Sequence, residues 1–84
     1  MKLIFADQAW EDYLYWRKQD RRMVDRINKL IRETQREPFA GVGKPEPLKH
    51  ALSGFWSRRI TDEHRIVYRF EDEALLIAQL RFHY

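Results

Sequence analysis

The sequence predicts an α+β fold, in which an N-terminal strand and a two-helix hairpin pack on a mainly antiparallel, twisted sheet. Three observations support this prediction. Apolar residues up to about residue 36 recur with a helical period, whereas from Gly54 onward they alternate with a period of two. Between these halves, residues 38–48 hold all three prolines and two of the three glycines, which predicts an irregular loop. The length of 84 residues is that of a single domain, 1–84, with one modest core.

The first half is expected to contain one strand and two helices. The stretch "KLIF" predicts a strand at residues 2–5. Asp7 and Asp20 are each predicted to cap the start of a helix, because a carboxylate there accepts hydrogen bonds from free backbone N–H groups. Pro38 is expected to end the second helix. The buried stripe of the first helix is predicted at Trp10, Tyr13, Leu14 and Arg17, and that of the second at Met23, Val24, Ile27, Leu30 and Ile31.

The second half is expected to form three antiparallel strands joined by short acidic turns. These strands are predicted at residues 55–60, 65–70 and 74–84. Alternate side chains of a strand point to opposite faces of its sheet, so one face of the middle strand is expected to pack on the helices. That helix-facing set is Ile66, Tyr68 and Phe70, and in the strand before it the stem of Arg58 is expected to lie inward with Trp56 and Ile60.

The face away from the helices is expected to gather positive charge. This requires each turn to hold an odd number of unpaired residues, such as 61–63 and 72–74, because a slip by one residue moves a strand's side chains to the other face. With that register, the open face carries Arg59, Arg65, Ile77, Gln79, Arg81 and His83.

Composition excludes several kinds of function. The chain has no cysteine, which rules out disulfides, thiolate metal sites and a cysteine nucleophile. The three histidines are scattered without carboxylates at ligand spacing, so no metal or other cofactor is expected. The apolar run before Asp7 is too short for a signal peptide or a membrane span, and a cytoplasmic protein without a membrane partner is expected. The net charge of +3 is too small to establish a nucleic-acid partner by itself.

The predicted arginine face favours a phosphate ligand. Like charges crowded on one face are destabilising unless an anion offsets them. One arginine would be explained by solvation, but several beside a histidine and a glutamate favour function. Glu46 lies between Pro45 and Pro47, which stiffen the backbone around it. A carboxylate base, an imidazole acid and guanidinium groups are the components of metal-free RNA cleavage, in which the ribose 2′-hydroxyl attacks the adjacent phosphorus.

Several stretches resemble the YoeB branch of the RelE/ParE toxin superfamily. They are "KPEPLKHALSGFWSRRITDEHRIVYRF" at residues 44–70, the last residues "FHY", and "YLYW" in the first helix. The resemblance implies a RelE-like microbial ribonuclease fold. It also implies the toxin of a toxin–antitoxin module, an mRNA interferase that cuts the message in the ribosomal 30S A site without a metal. The implied partners are mRNA, the ribosome and a YefM-like antitoxin with an acidic, partly disordered segment. Family members are often homodimers, and the tryptophan-rich first helix is a candidate dimer surface.

Carried over residue by residue, the resemblance implies four catalytic residues. Glu46 would be the general base and His83 the general acid. Arg65 would stabilise the scissile phosphate, and Tyr84 would hold or stack the nucleotide.

The resemblance also implies that Lys49 and Arg59 bind backbone phosphates. A second basic surface is predicted from the helical pattern on the outer face of the second helix, where salt-sensitive contacts with ribosomal RNA would form. Its members are Arg22, Arg26, Lys29 and Arg32.

Other interpretations stay open. A ParE-like toxin of the same fold would inhibit gyrase by binding, and fold alone does not separate it from a nuclease. A passive nucleic-acid-binding domain would use mainly the second helix. For single residues, Glu46 and Lys49 could be ordinary surface groups, the arginines could pair with turn acids such as Asp62 or Glu63, and His83 and Tyr84 could only cap and pack. His50 and His64 are interpreted as structural or surface residues.

Overall fold

A computed structural model describes residues 1–82, and His83 and Tyr84 lie outside the described residues. Strand β1 spans Lys2–Phe5, helix α1 Asp7–Gln19 and helix α2 Arg21–Arg36. The later strands are β2 (Glu46–Pro47), β3 (Trp56–Arg59), β4 (Arg65–Glu71) and β5 (Ala74–Gln79), with a 3-10 turn at His50–Leu52. The described strands form one sheet in the order β1-β5-β4-β3-β2. Strand β1 is parallel to β5 and the other pairs are antiparallel, so the α+β prediction is confirmed.

The core lies between the two helices and one face of the sheet. Helix α2 contributes the predicted stripe, of which Val24 is only partly buried. The sheet contributes Ile66 and Tyr68 from β4 and Leu75 and Ile77 from β5, all with no exposed surface. Burying each large aliphatic side chain stabilises the fold by about 1.5–3 kcal/mol, which explains why an amphipathic α2 docks here. No helix within residues 1–82 is long and apolar enough to cross a bilayer.

The two helix starts differ from each other. Asp20 caps α2 as predicted, with its carboxylate accepting a hydrogen bond from the Arg22 amide at 3.0 Å. The predicted cap at Asp7 is wrong, because the cap position is held by Ala6, which makes no side-chain hydrogen bond. Asp7 is instead the first helical residue, where its negative charge still favours the positive end of the helix dipole.

Helix α1 buries a different face from the one predicted. Ala9, Asp12 and Trp16 are buried, whereas Trp10 is 48% exposed. The reason lies at the end of β5. The Asp12 carboxylate accepts a hydrogen bond from the Leu80 amide at 2.9 Å, and the Trp16 indole N–H donates to the Leu80 carbonyl at 2.9 Å. These tertiary bonds orient the helix, and no hydrophobic period in the sequence reveals them.

The turn between β4 and β5 also differs from the prediction. It holds two residues, Asp72 and Glu73, at φ 52° and 60°, and Glu71 pairs with Ala74. Two residues with positive φ form the tight hairpin turn whose twist matches the strands. Because the turn has an even number of residues, Ile77 faces the core and not the open face.

A β-bulge after Ile77 returns the later side chains of β5 to the sheet faces that the sequence predicted. Tyr68 pairs with Ile77, but the neighbouring Val67 pairs with Gln79, so Ala78 is left over in the ladder. One extra residue moves all later side chains of a strand to the other face. Gln79 therefore lies on the open face with Val67, as the alternation in the sequence predicted.

The segment 38–48 is not wholly irregular. Glu46 pairs with Ser57 and Pro47 with Trp56, which forms the two-residue edge strand β2. Proline is tolerated there because an edge strand need not donate on its outer side. At Gly43, with φ +87°, an added Cβ would lie 3.2 Å from the Arg58 Cβ, so this close approach requires glycine.

Candidate functional site

Glu46, Arg59 and Arg65 lie on the same face of the sheet. Glu46 is opposite Ser57, and Arg59 is opposite Arg65 in the next strand pair. Residues directly opposite each other across an antiparallel pair point to the same side, as do residues two apart in a strand. Because Ser57 and Arg59 are two apart, the register directs all three predicted site residues to the face away from the helices, although Arg59, at the end of β3, also borders a cleft beside α2. The register therefore places one glutamate and two arginines on the same face of the sheet.

Arg65 is held more tightly than the sequence suggests. Its side chain is buried, and the guanidinium Nη1 donates to the Thr61 and Asp62 carbonyls at 2.6 and 3.0 Å. Arg59, by contrast, is exposed. A fixed cation such as Arg65 is suited to orient a bound anion. An exposed cation such as Arg59 is suited to meet that anion as it arrives from solvent.

Glu46 and Lys49 line one shallow cavity at the sheet edge. Its volume is about 350 Å³, and its walls also include Leu48 and His50. The Leu48 amide donates to the Phe55 carbonyl at 2.9 Å, which continues the pairing of β2 with the chain before β3. Both charged side chains are exposed and accessible to a ligand. Among residues 1–82, no group of three or more histidine, aspartate or glutamate side chains is arranged to hold a metal ion.

The segment after β5 is fixed to the sheet up to the last described residue. The Phe82 amide donates to Nδ1 of His64 at 2.8 Å, and the Phe82 carbonyl accepts from the Arg65 amide at 3.1 Å. His64 also packs edge-on against Trp16, with ring centroids 4.8 Å apart. His64 thus has a structural role, as the sequence suggested. His83 and Tyr84, the predicted acid and the predicted nucleotide-holding residue, lie outside the described residues.

Arg81 does not join the open face. Its guanidinium carbon lies 3.5 Å from the ring centroid of Tyr15 on α1 and 4.4 Å from that of Phe82. Its Nε is buried and has no hydrogen-bond partner among the described residues. The prediction that Arg81 converges with Arg59 and Arg65 is therefore wrong. A guanidinium stacked on an aromatic face is attracted to the ring quadrupole, and an alternation pattern cannot detect this contact.

Arg59 also lines a second cleft, which lies beside α2. A cavity of about 580 Å³ is lined by Arg59 together with three of the four helix residues predicted to contact RNA. These three are Arg26, Lys29 and Arg32. The fourth, Arg22, is exposed but does not line the cleft. Arg26 also has a structural bond, since its guanidinium donates to the Ile60 carbonyl at 3.2 Å.

The surroundings of Arg58 differ most from what the sequence predicted. It is fully buried, and its guanidinium donates to three loop carbonyls and to the Tyr68 hydroxyl. The Tyr68 hydroxyl in turn donates to the Pro38 carbonyl at 2.7 Å. Burial raises the pKa of the Tyr68 hydroxyl above its usual range, although Arg58 opposes the rise, and the hydroxyl therefore keeps its proton at neutral pH. The sequence feature that could have predicted this role is an arginine at a helix-facing strand position, where an apolar residue is usual.

The whole chain matches a known family. The family described as YoeB-like toxins of bacterial type II toxin–antitoxin systems matches residues 5–84. A Toxin YoeB from Escherichia coli strain K12 is 63% identical over 84 residues, which cover 100% of both chains.

Solved structures agree with the sequence match. The chain superposes on a YoeB/ParE toxin from Agrobacterium tumefaciens with a TM-score of 0.95 and 55% identity, covering 100% of both chains. It superposes on a YoeB–YefM complex from Staphylococcus aureus with a TM-score of 0.91 and 42% identity, covering 100% of this chain and 98% of that one. A YoeB dimer from the same species gives a TM-score of 0.92 and 44% identity, with the same coverage.

Proposed function

The chain belongs to the family of YoeB-like toxins of bacterial type II toxin–antitoxin systems, and from this premise we propose that it is a ribosome-dependent endoribonuclease. It would cleave mRNA in the 30S A site without a metal and thereby inhibit translation. The observation that carries the proposal is the placement of Glu46, Arg59 and Arg65 on one face of the sheet. A toxin that acted only by binding would have no need of a base and a fixed phosphate-binding cation on the same surface.

The proposed reaction is an attack within the RNA chain. Glu46 accepts the proton of the ribose 2′-hydroxyl, and that oxygen forms a bond to the adjacent phosphorus. The bond from phosphorus to the 5′-oxygen breaks, and His83 donates the proton that this leaving oxygen needs. The products are a 2′,3′-cyclic phosphate and a free 5′-hydroxyl, so no water molecule is consumed in this step. Each acid–base group of this kind contributes about 10²–10⁴-fold to a rate.

Arg65 is suited to stabilise the charge that develops on the phosphate. The carbonyls of Thr61 and Asp62 hold one of its terminal nitrogens, so the guanidinium needs little reorganisation as negative charge develops. Arg59 and Lys49 would bind flanking phosphates from more exposed positions. Tyr84 would hold or stack the nucleotide.

The same proposal uses the basic face of α2. Arg22, Arg26, Lys29 and Arg32 would contact ribosomal RNA through its phosphates, with an affinity that falls as salt rises. The cleft that contains the last three together with Arg59 supports this use, because its four cationic side chains outnumber its one carboxylate, Glu33.

The proposed partners and location follow from the family. The Staphylococcus aureus relatives form a YoeB–YefM complex and a YoeB dimer, and we expect a YefM-like antitoxin and a homodimer for this chain. A nuclease acting on translating ribosomes is expected to work in the cytoplasm.

The test is a cleavage assay on translating ribosomes with analysis of the new RNA ends. The proposal predicts a 2′,3′-cyclic phosphate on one side of the cut and a free 5′-hydroxyl on the other. The second candidate, a ParE-like gyrase inhibitor, predicts inhibited supercoiling with intact messages, and the 55% identity to a structure named YoeB/ParE toxin is the observation that keeps it in view.

A variant of the predicted acid gives a second test. His83→Gln is expected to lower the single-turnover rate by about 10²–10⁴-fold while leaving ribosome binding nearly unchanged. A near-normal rate would remove His83 from the mechanism.

A further inference from the structure

The buried Arg58 binds the segment that leads to Glu46. Its Nε donates to the Tyr68 hydroxyl at 3.2 Å, and Nη1 donates to the Val42 carbonyl at 3.0 Å. Its Nη2 donates to the Ala40 carbonyl at 2.9 Å and to the Glu37 carbonyl. One guanidinium therefore ties three points of the chain between α2 and β2 to the middle of β3.

Strand β3 holds this segment at two further points. The Arg59 amide donates to the Gly43 carbonyl at 2.8 Å, and Glu46 pairs with Ser57. Strand β2 has only two residues and lies at the sheet edge, and such a short pairing is marginal without support from its surroundings. The support comes from the preceding residues 37–43, whose backbone carbonyls accept hydrogen bonds from the buried Arg58 guanidinium and Tyr68 hydroxyl.

An arginine is a costly choice for this position unless the loop geometry matters. Within residues 1–82, its guanidinium donates to three backbone carbonyls and to a phenol, which are all uncharged acceptors. An apolar side chain of similar volume would avoid the desolvation of a charge, but it would leave the loop carbonyls without donors. The planar guanidinium fork also fixes the directions of its hydrogen bonds, which a lysine cannot do.

We propose that Arg58 and Tyr68 are positioning residues, which fix segment 37–43 and thereby hold Glu46 in the orientation needed to accept the proton of the ribose 2′-hydroxyl. This inference rests on the proposed function, in which Glu46 is the base. It goes beyond that function by giving a chemical role to two buried groups that do not touch the substrate.

The first experiment uses Tyr68→Phe, which removes one oxygen atom and its two bonds to Arg58 and Pro38. Single-turnover cleavage on programmed ribosomes is expected to slow by about tenfold, since small misplacements of a reacting group are expensive. Ribosome affinity is expected to stay within about twofold, because the change is buried. The matched control is Ile27→Val, a core change on α2 that lowers stability without touching the loop and should leave the rate unchanged. Equal rates for the two variants would contradict the inference.

The second experiment asks whether the effect passes through Glu46. In a Glu46→Gln background the base is already lost, so Tyr68→Phe is expected to cause no further slowing. A further loss of about tenfold in that background would show an independent effect and overturn the inference, because residues that act through one group are not additive. If Glu46→Gln alone cleaves at the normal rate, the base assignment fails and the inference fails with it.

The third measurement follows the loop directly and needs no activity. Amide hydrogen exchange of residues 43–49 is expected to be about tenfold faster in Tyr68→Phe than in the wild type, and unchanged in Ile27→Val. Arg58→Lys, which keeps the charge but loses the fork, should give at least the same increase if it folds. Unchanged exchange in Tyr68→Phe would overturn the inference.

Discussion

The backbone amide of Phe82 donates a hydrogen bond to Nδ1 of His64 at 2.8 Å, which ties the last described residue to the turn before β4. On its other side, the Phe82 carbonyl accepts from the Arg65 amide at 3.1 Å. Phe82 is therefore hydrogen-bonded both to His64 and to Arg65, the arginine that is proposed to bind the scissile phosphate.

The first prediction concerns the acceptor on His64. His64→Leu removes the acceptor of the Phe82 amide and is expected to lower the free energy of unfolding by about 0.5–1.5 kcal/mol. His64→Asn places an oxygen near the position of Nδ1 and should recover most of the loss. Urea unfolding measures both, and single-turnover cleavage should follow the same order. Equal stability and activity of the two variants would contradict this role.

The second prediction concerns the buried carboxylate of Asp12. Its two oxygens accept hydrogen bonds from the Leu80 amide at 2.9 Å and from the Gln8 side chain at 2.8 Å. Asp12→Ala leaves the buried Leu80 amide unpaired and is expected to cost about 1–3 kcal/mol of unfolding free energy. Gln8→Ala is the control, because it removes only the more exposed partner and should cost less. If Gln8→Ala lowered the unfolding free energy as much as Asp12→Ala, the loss would not come from the hydrogen bond to the Leu80 amide.

The third prediction concerns the alkaline limit of stability. Burial raises the folded-state pKa of Tyr68, so its protonated form is favoured by folding. The stability that this gives is fully present below the unfolded pKa of about 10 and is lost as pH rises through the higher folded pKa. The difference in unfolding free energy between the wild type and Tyr68→Phe should therefore shrink above about pH 10. A difference that stays constant in that range contradicts the raised pKa.

The fourth prediction concerns the basic face of α2. Lys29→Glu combined with Arg32→Glu is expected to weaken ribosome binding and to reduce its salt dependence by about two phosphate contacts. Cleavage at saturating ribosomes should be nearly normal. Arg26 is left unchanged because its guanidinium also bonds the Ile60 carbonyl. The control is Lys18→Glu on α1, and equal weakening by that variant would mean that net charge, and not this face, sets the affinity.

Local signals in the sequence predicted much of the fold. The apolar stripe of α2 and the cap at Asp20 follow from spacing and side-chain chemistry within a few residues. The face of Glu46, Arg59 and Arg65 could be predicted only in part, because its alignment depends on strand register. The register of β5 against β4 could not be predicted, because an even-numbered turn at Asp72 and a bulge at Ala78 both changed it, and their effects cancel at Gln79.

Long-range contacts explain the remaining differences. Arg58 and Arg81 look alike in the alternation pattern, but one binds loop carbonyls and the other stacks on Tyr15. Asp12 is buried because of an amide 68 residues away. These contacts form only when distant parts of the chain fold together, and no local pattern in a single sequence predicts them.

Replacing the attacking group on the RNA tests whether the ribose 2′-hydroxyl is the nucleophile. A message with one 2′-deoxyribose at the scissile nucleotide is placed in the A site of programmed ribosomes, and single-turnover cleavage is measured at that position. With the nucleophile removed, we expect unchanged binding of the protein and no cleavage at that linkage, whereas the matched ribose message yields a 2′,3′-cyclic phosphate. Cleavage of the deoxy linkage at the normal rate would mean that another nucleophile attacks, and would contradict the role given to Glu46.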